Sequence, residues 1–137
     1  MKYWLAKSEP DVYSWQTLIH NGKGFWDGVR SYAARKNLLA MEAGDLLLFY
    51  HSNVGKEIVG IARVISKAYQ DPTTSDERWV GVDVEPLQAF KKSVTLAQIK
   101  AEKQLQDFAL VRQSRLSVMP VSDSQLKLLL RMGETVI

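Results

Sequence analysis

Apolar and polar positions change period several times along the chain, and each change marks an element. Lys2–Lys7 reads K-Y-W-L-A-K and predicts a first strand. Ser8-Glu9-Pro10-Asp11 stops it, because proline brings no N–H to a ladder and holds Glu9 extended. Ser14 is placed to cap a short helix, Trp15–His20, which ends at Asn21-Gly22. The next stretch, Gly22–Arg30, carries Gly22, Gly24 and Gly28 around Phe25 and Trp26 and predicts a loop. It leads into a helix over Ser31–Ala43, with Tyr32, Leu38, Leu39 and Met41 as its apolar surface and Gly44 as its stop.

Asp45–His51 is almost continuously apolar between turn residues, the pattern of a buried strand. After a turn at Ser52–Lys56, Glu57–Ala68 is rich in β-branched residues and predicts a long strand. Gly60 within it marks a bulge or a close approach. Tyr69–Arg78 is polar, contains Pro72 and reads as a surface loop. Trp79–Glu85 alternates as a strand with one polar face, and Pro86 is expected to end it. From Thr95, a natural cap, the period is helical to Gln106. Phe108–Val111 fits neither period, whereas Arg115–Met119 reads as extended and closed by Pro120. Ser122 and Gln125 form a capping box for a last helix, Asp123–Met132, stopped by Gly133. Five or six strands interleaved with short helices predict an α+β fold built on a small mixed barrel. There is no repeat, low-complexity tract or linker, so one domain over 1–137 is expected.

Composition narrows the function classes. The 137 residues contain no cysteine, which excludes disulfides and thiolate chemistry. With two histidines and no metal-ligand spacing, no metal site or cofactor is expected. Hydrophobic content of 46% and charged content of 24% are ordinary for a globular chain. No apolar run approaches the roughly 20 residues that span a bilayer, and the chain opens on strand sequence without a leader. A cytoplasmic protein without membrane contact is the resulting expectation, with a monomer taken by default because the sequence does not set the oligomeric state. The net charge of +3 and pI of about 9.2 are compatible with a local anionic contact.

The candidate chemistry lies where strands and loops end. Trp26, Asp27, Val29, Arg30, Tyr32 and Arg35 sit at a loop-to-helix junction that Gly28 makes flexible. An indole that stacks on a base contributes roughly 1–3 kcal/mol, although a loop tryptophan also serves as packing. Lys7-Ser8-Glu9-Pro10 offers an ammonium, a hydroxyl and a carboxylate at a strand end, or is only a turn. Tyr50-His51-Ser52-Asn53 is a second strand end of the same character, and Arg115-Leu116-Ser117 sets a charge beside a hydroxyl. Lys100, Glu102 and Lys103 form a solvated helix face. No P-loop, nucleophile elbow or dinucleotide fingerprint occurs.

Taken together and in order, Tyr3-Trp4-Leu5, Lys7–Pro10, Trp26–Arg30, Gly44-Asp45, Tyr50–Asn53, Val59–Ala62 and Arg115–Val118 resemble the EVE domain family. The resemblance covers nearly the whole chain. It implies a PUA-like pseudo-barrel of five to six strands surrounded by short helices, related to YTH domains that read methylated adenine in RNA. It also implies a modified nucleobase in DNA or RNA as partner. Lys7 and Ser8 match the strand end that borders the base, and Trp26 the cage tryptophan. Tyr50, His51 and Ser52 match the opposite wall, and Arg115 with Ser117 a block beside it. One departure is visible: the family pattern continues N-Y-Q-A-R, and here Ser31 and Ala33 stand in place of the amides.

The expectation is a non-enzymatic reader of a modified cytosine or adenine. Trp26, with Tyr32 or Tyr50, would sandwich the base, Lys7, Ser8 and Ser52 would bond its pairing edge, and Arg30 and Arg35 would meet phosphate. Two alternatives stay open. One is a hydrolase of modified nucleosides using Lys7, Ser8 and Glu9, as in the PUA-like ASCH domains. The other is a protein-interaction module without a nucleotide ligand.

Overall fold

The computed structural model describes residues 1–137. The chain forms β1 (Tyr3–Ser8), α1 (Trp15–Asn21), β2 (Gly24–Phe25), α2 (Tyr32–Ala40), β3 (Leu46–His51) and β4 (Glu57–Val64). There follow β5 (Tyr69–Gln70), β6 (Val80–Gly81), β7 (Asp83–Thr95), α3 (Leu96–Ala101), α4 (Ala109–Arg112), β8 (Val118–Val121) and α5 (Asp123–Met132). Six strands make one mixed sheet in the order β2-β7-β4-β3-β1-β8, and β5 and β6 pair by themselves. The sheet curls into a half-barrel with the five helices around it, the PUA-like α+β arrangement.

Local signals set most of the helices. Ser14 accepts from the Thr17 amide at the start of α1, and Gly22 closes that helix in the left-handed region at φ +77. Thr95 with Gln98 and Ser122 with Gln125 form reciprocal capping boxes at α3 and α5. Helix α2 is shorter than its sequence pattern: it ends at Ala40, and Met41 is the cap. Gly44 lies beyond it, in a turn where buried Asp45 accepts from the amides of Lys2 and Glu42 and from the Trp4 indole. The stretch expected as one helix to Gln106 breaks at Glu102 into α3 and a 3-10 turn, Lys103–Leu105.

Two prolines expected to end strands sit inside them. Pro86 pairs with Ala62 in β7, next to a register shift. Because β2 covers β7 only at Asp83 and Val84, the strand beyond has a free side that needs no N–H. Pro120 pairs with Trp4 in β8, an edge strand. The Val118 carbonyl in that strand accepts from Asn37 Nδ2 at 2.7 Å. Strand β4 stops at Val64 rather than at Ala68. The polar stretch after it forms β5 and buries Asp71, so it is more than a surface loop.

The sequence positions the site through β1. This strand runs parallel to β3, with Lys7 opposite Tyr50 and Ser8 opposite His51, and antiparallel to β8. Leu5 of this strand, Leu47, Leu48 and Phe49 of β3 and Ile61 of β4 are fully buried. Gly60 lies against the Trp15 ring so closely that a Cβ would collide with it, and the β3–β4 and β4–β7 registers shift around that point. The close approach and the bulge expected at Gly60 are thus both present.

Candidate nucleobase-binding cavity

Where β1 ends, the chain leaves the sheet, and the loop before α2 returns across the same place. Between them is a cavity of about 220 Å³ lined by Lys7, Ser8, Glu9, Val12, Tyr13, Phe25, Trp26, Asp27 and Gly28. That is smaller than the roughly 300–1,000 Å³ of drug-sized sites, so the space suits one small ring system. Trp26 is fixed there by its own amide, which donates to the Val82 carbonyl at 2.8 Å. Its indole is only 8% exposed and meets Phe49 edge to face, centroids 5.1 Å apart. Trp26 is therefore a core residue that presents one margin to the cavity, not a free plate for a sandwich.

The polar lining is mixed. Lys7 Nζ donates to the Ser114 carbonyl at 2.9 Å, and burial lowers its pKa. Ser8 Oγ donates to the Tyr13 carbonyl at 2.6 Å, which fixes the turn after β1. Glu9 accepts from Asn53 Nδ2 at 2.6 Å. Asp27 is exposed at the rim, and burial of its carboxyl, then the nearby charge of Asp71, raise its pKa. A cation and two carboxylates against an apolar wall can hydrogen-bond a flat ligand that carries both donors and acceptors.

Other expected site residues fall outside this cavity and have structural partners. Tyr50 is buried beside Lys7 in the sheet. The His51 Nε2 accepts from the Trp15 amide at 3.1 Å, and the Ser52 amide donates to the Ser8 carbonyl at 2.9 Å. Together with Asn53, these residues support the β1 end from behind rather than forming an opposite wall. Pro10 is half-buried in the turn, and Val29 is part of the core. The Ser117 carbonyl accepts from the Lys7 amide, while Arg115 and Leu116 border a separate open groove with Ser31 and Ala33.

Arg30 is committed to Asp71. Its Nη1 lies 3.0 Å from Asp71 Oδ2, and Asp71 is fully buried. The same carboxylate accepts from the Gly28 amide and from the amide and hydroxyl of Thr73. Burial pushes the Asp71 pKa up, but these bonds outweigh it and hold the group at about 2. Tyr32 is 61% exposed and packs on Trp79, centroids 5.5 Å apart, away from the cavity. Arg35 donates from Nε to the Arg78 carbonyl. Sequence reasoning missed Val12, Tyr13 and Phe25, which line the cavity, and Asp71, which clamps its rim. For Asp71 a signal existed: Asp-Pro-Thr-Thr is turn chemistry in which the carboxylate bonds the amide two residues on.

No group of three or more His, Asp or Glu side chains is gathered closely enough to hold a metal, and no helix is long and apolar enough to cross a membrane.

Comparison with known proteins places this geometry in a family. The EVE domain family model matches residues 2–132. Mouse thymocyte nuclear protein 1 is 32% identical over 167 residues, covering 97% of this chain and 74% of the mouse protein. The solution structure of Rpa0253 from Rhodopseudomonas palustris is 47% identical with a TM-score of 0.92, covering 98% of this chain and 94% of that one. The human THYN1 protein, crystallised in complex with 5-methylcytosine-containing DNA, is 29% identical with a TM-score of 0.91 and full coverage of both chains. A YTH domain from Zygosaccharomyces rouxii in complex with N6-methyladenosine RNA shares the fold at 19% identity and a TM-score of 0.60, covering 99% of this chain and 88% of that one. The expected cytoplasmic location is corrected by these findings, because the vertebrate relatives are named as nuclear proteins. From residue 2 to residue 132, this chain belongs to the EVE domain family.

Proposed function

We propose that the protein is a non-enzymatic reader of a modified base in nucleic acid, with a methylated cytosine in DNA the favoured ligand. The cavity at the end of β1 carries this reading, because it sets Lys7 and two carboxylates against the margin of Trp26 in a space the size of one ring system. The pairing edge of cytosine offers an amino donor beside ring acceptors. Asp27 or Glu9 suits the former, as carboxylates accept from cytosine N4 in duplex readout, and the Lys7 ammonium suits the latter. A 5-methyl group would rest on apolar lining, where burying one methyl contributes on the order of 0.8 kcal/mol. A base enters such a cavity only when unstacked or flipped. The full-length likeness to a human protein held on 5-methylcytosine DNA supports the same choice.

The hydrolase alternative requires a lysine in contact with a carboxylate. Lys7 Nζ is turned to the Ser114 carbonyl and Glu9 to Asn53, so nothing favours that reading. The test is binding of strands carrying 5-methylcytosine, N6-methyladenine or unmodified bases. Preference for the 5-methylcytosine strand is expected, and Lys7→Met should weaken it about tenfold with an unchanged melting curve. Equal affinity for modified and bare strands would overturn the proposal.

A further inference from the structure

A second feature, outside the cavity lining, has no part in the base pocket described above. Tyr32 opens α2 with its ring 61% exposed, yet that ring is held from two sides. Trp79 packs against it with centroids 5.5 Å apart, and Arg78 Nη1 donates to its hydroxyl at 3.0 Å. The guanidinium carbons of Arg30 and Arg78 lie 5.9 and 5.7 Å from the Trp79 ring centroid. Arg78 is itself fixed by Asp76 at 2.6 Å, and Arg30 by Asp71 at 3.0 Å. A solvent-facing aromatic side chain normally needs no such support.

We infer that Tyr32, backed by Trp79 and Arg78, is an external stacking platform for the base that neighbours the one held in the cavity. The inference rests on the proposed reader function and extends it from a base to the strand carrying that base. Gly28 lines the cavity and Tyr32 is four residues later, so the two are at most about 15 Å apart along the chain. An adjacent nucleotide falls within that reach. Every base has a flat face, so stacking on Tyr32 is indifferent to sequence, as a reader of one modified base in varied contexts requires. The charge has the matching sign. Arg30 and Arg78 are balanced by their carboxylates, which leaves Lys36 and the Arg35 guanidinium, whose Nε alone is bonded to the Arg78 carbonyl, on the same helix without a carboxylate partner and able to meet a phosphate backbone.

The test compares two probes: a single strand with one 5-methylcytosine, and free 5-methyl-2′-deoxycytidine. In Tyr32→Ala, affinity for the strand should fall about tenfold, the effect of one lost stacking contact, with nucleoside affinity unchanged. Tyr32→Phe keeps the ring and should stay within about twofold of the native protein on both probes. Unchanged strand affinity in Tyr32→Ala overturns the platform, while the base-reader function stands. A native protein that binds the nucleoside but gains nothing from the strand also overturns it alone. Failure of the native protein to bind either probe overturns this inference together with the 5-methylcytosine reading.

Discussion

The amide of Trp15 donates to Nε2 of His51 across 3.1 Å, so helix α1 begins on an imidazole. That bond needs the ring nitrogen unprotonated. Burial lowers the His51 pKa below its ordinary 6.5, and the opposing charge of Glu57 does not reverse this. The unfolded chain then takes up this proton more readily than the folded one. Stability from the contact is complete above about pH 6.5 and is lost as the pH falls below it. The thermal midpoint should drop between about pH 7.5 and pH 5.5, and His51→Gln, which keeps an acceptor but does not titrate, should flatten that slope.

Asp71 ties the cavity rim to the segment before β6. Replacing it with asparagine leaves Arg30 without its anion and removes charge-assisted bonds to Gly28 and Thr73. Asp71→Asn should cost about 1–3 kcal/mol in urea unfolding. In the native protein, a group held at about 2 against an ordinary 3.8 stabilises the fold above about pH 4 and ceases to as the pH drops towards 2. Acid unfolding of Asp71→Asn should therefore be shallower in that window.

Gly60→Ala places a methyl group into the Trp15 ring. Both partners are buried, and the bulge beside Gly60 leaves little freedom to yield. A loss of about 1–3 kcal/mol is expected, read as a lowered urea midpoint with an unchanged slope.

Trp26 makes the indole's two roles separable. Trp26→Ala removes a core ring packed on Phe49 and should cost about 3–5 kcal/mol, so any binding loss would be entangled with unfolding. Trp26→Phe keeps an aromatic ring against Phe49 while changing the cavity margin. It should unfold close to the native protein yet bind the 5-methylcytosine strand more weakly, which paired melting and titration curves would check.

Those features written in neighbouring residues were legible beforehand. The Ser122–Gln125 box, the Ser14 cap and the buried run into His51 all describe the chain within a few positions of themselves. Pro86 and Pro120 misled because a proline's effect depends on which side of its strand is occupied, and that is decided by β2 and by the sheet edge. Helix α2 stopped short because Asp45, not Gly44, organises the turn after it, through Trp4 far away in sequence. At the site, Lys7, Ser8, Glu9, Trp26 and Asp27 do meet around one cavity. The Tyr50–Asn53 corner lies behind it, since register alone determines which side of β1 it reaches. Val12, Tyr13 and Phe25 carried no periodic signal, and the Asp-Pro-Thr-Thr turn signal of Asp71 spoke only for its bond to Thr73, not for its reach to Gly28 and Arg30.

Pro120 in β8 acts beyond its own strand. With no N–H at position 120 and the Val118 carbonyl already taken by Asn37, another chain laid along this margin loses one donor and one acceptor of an already short ladder. The half-barrel is thereby protected from sheet-to-sheet polymerisation on that side, and a concentrated solution should stay free of fibrils seeded there.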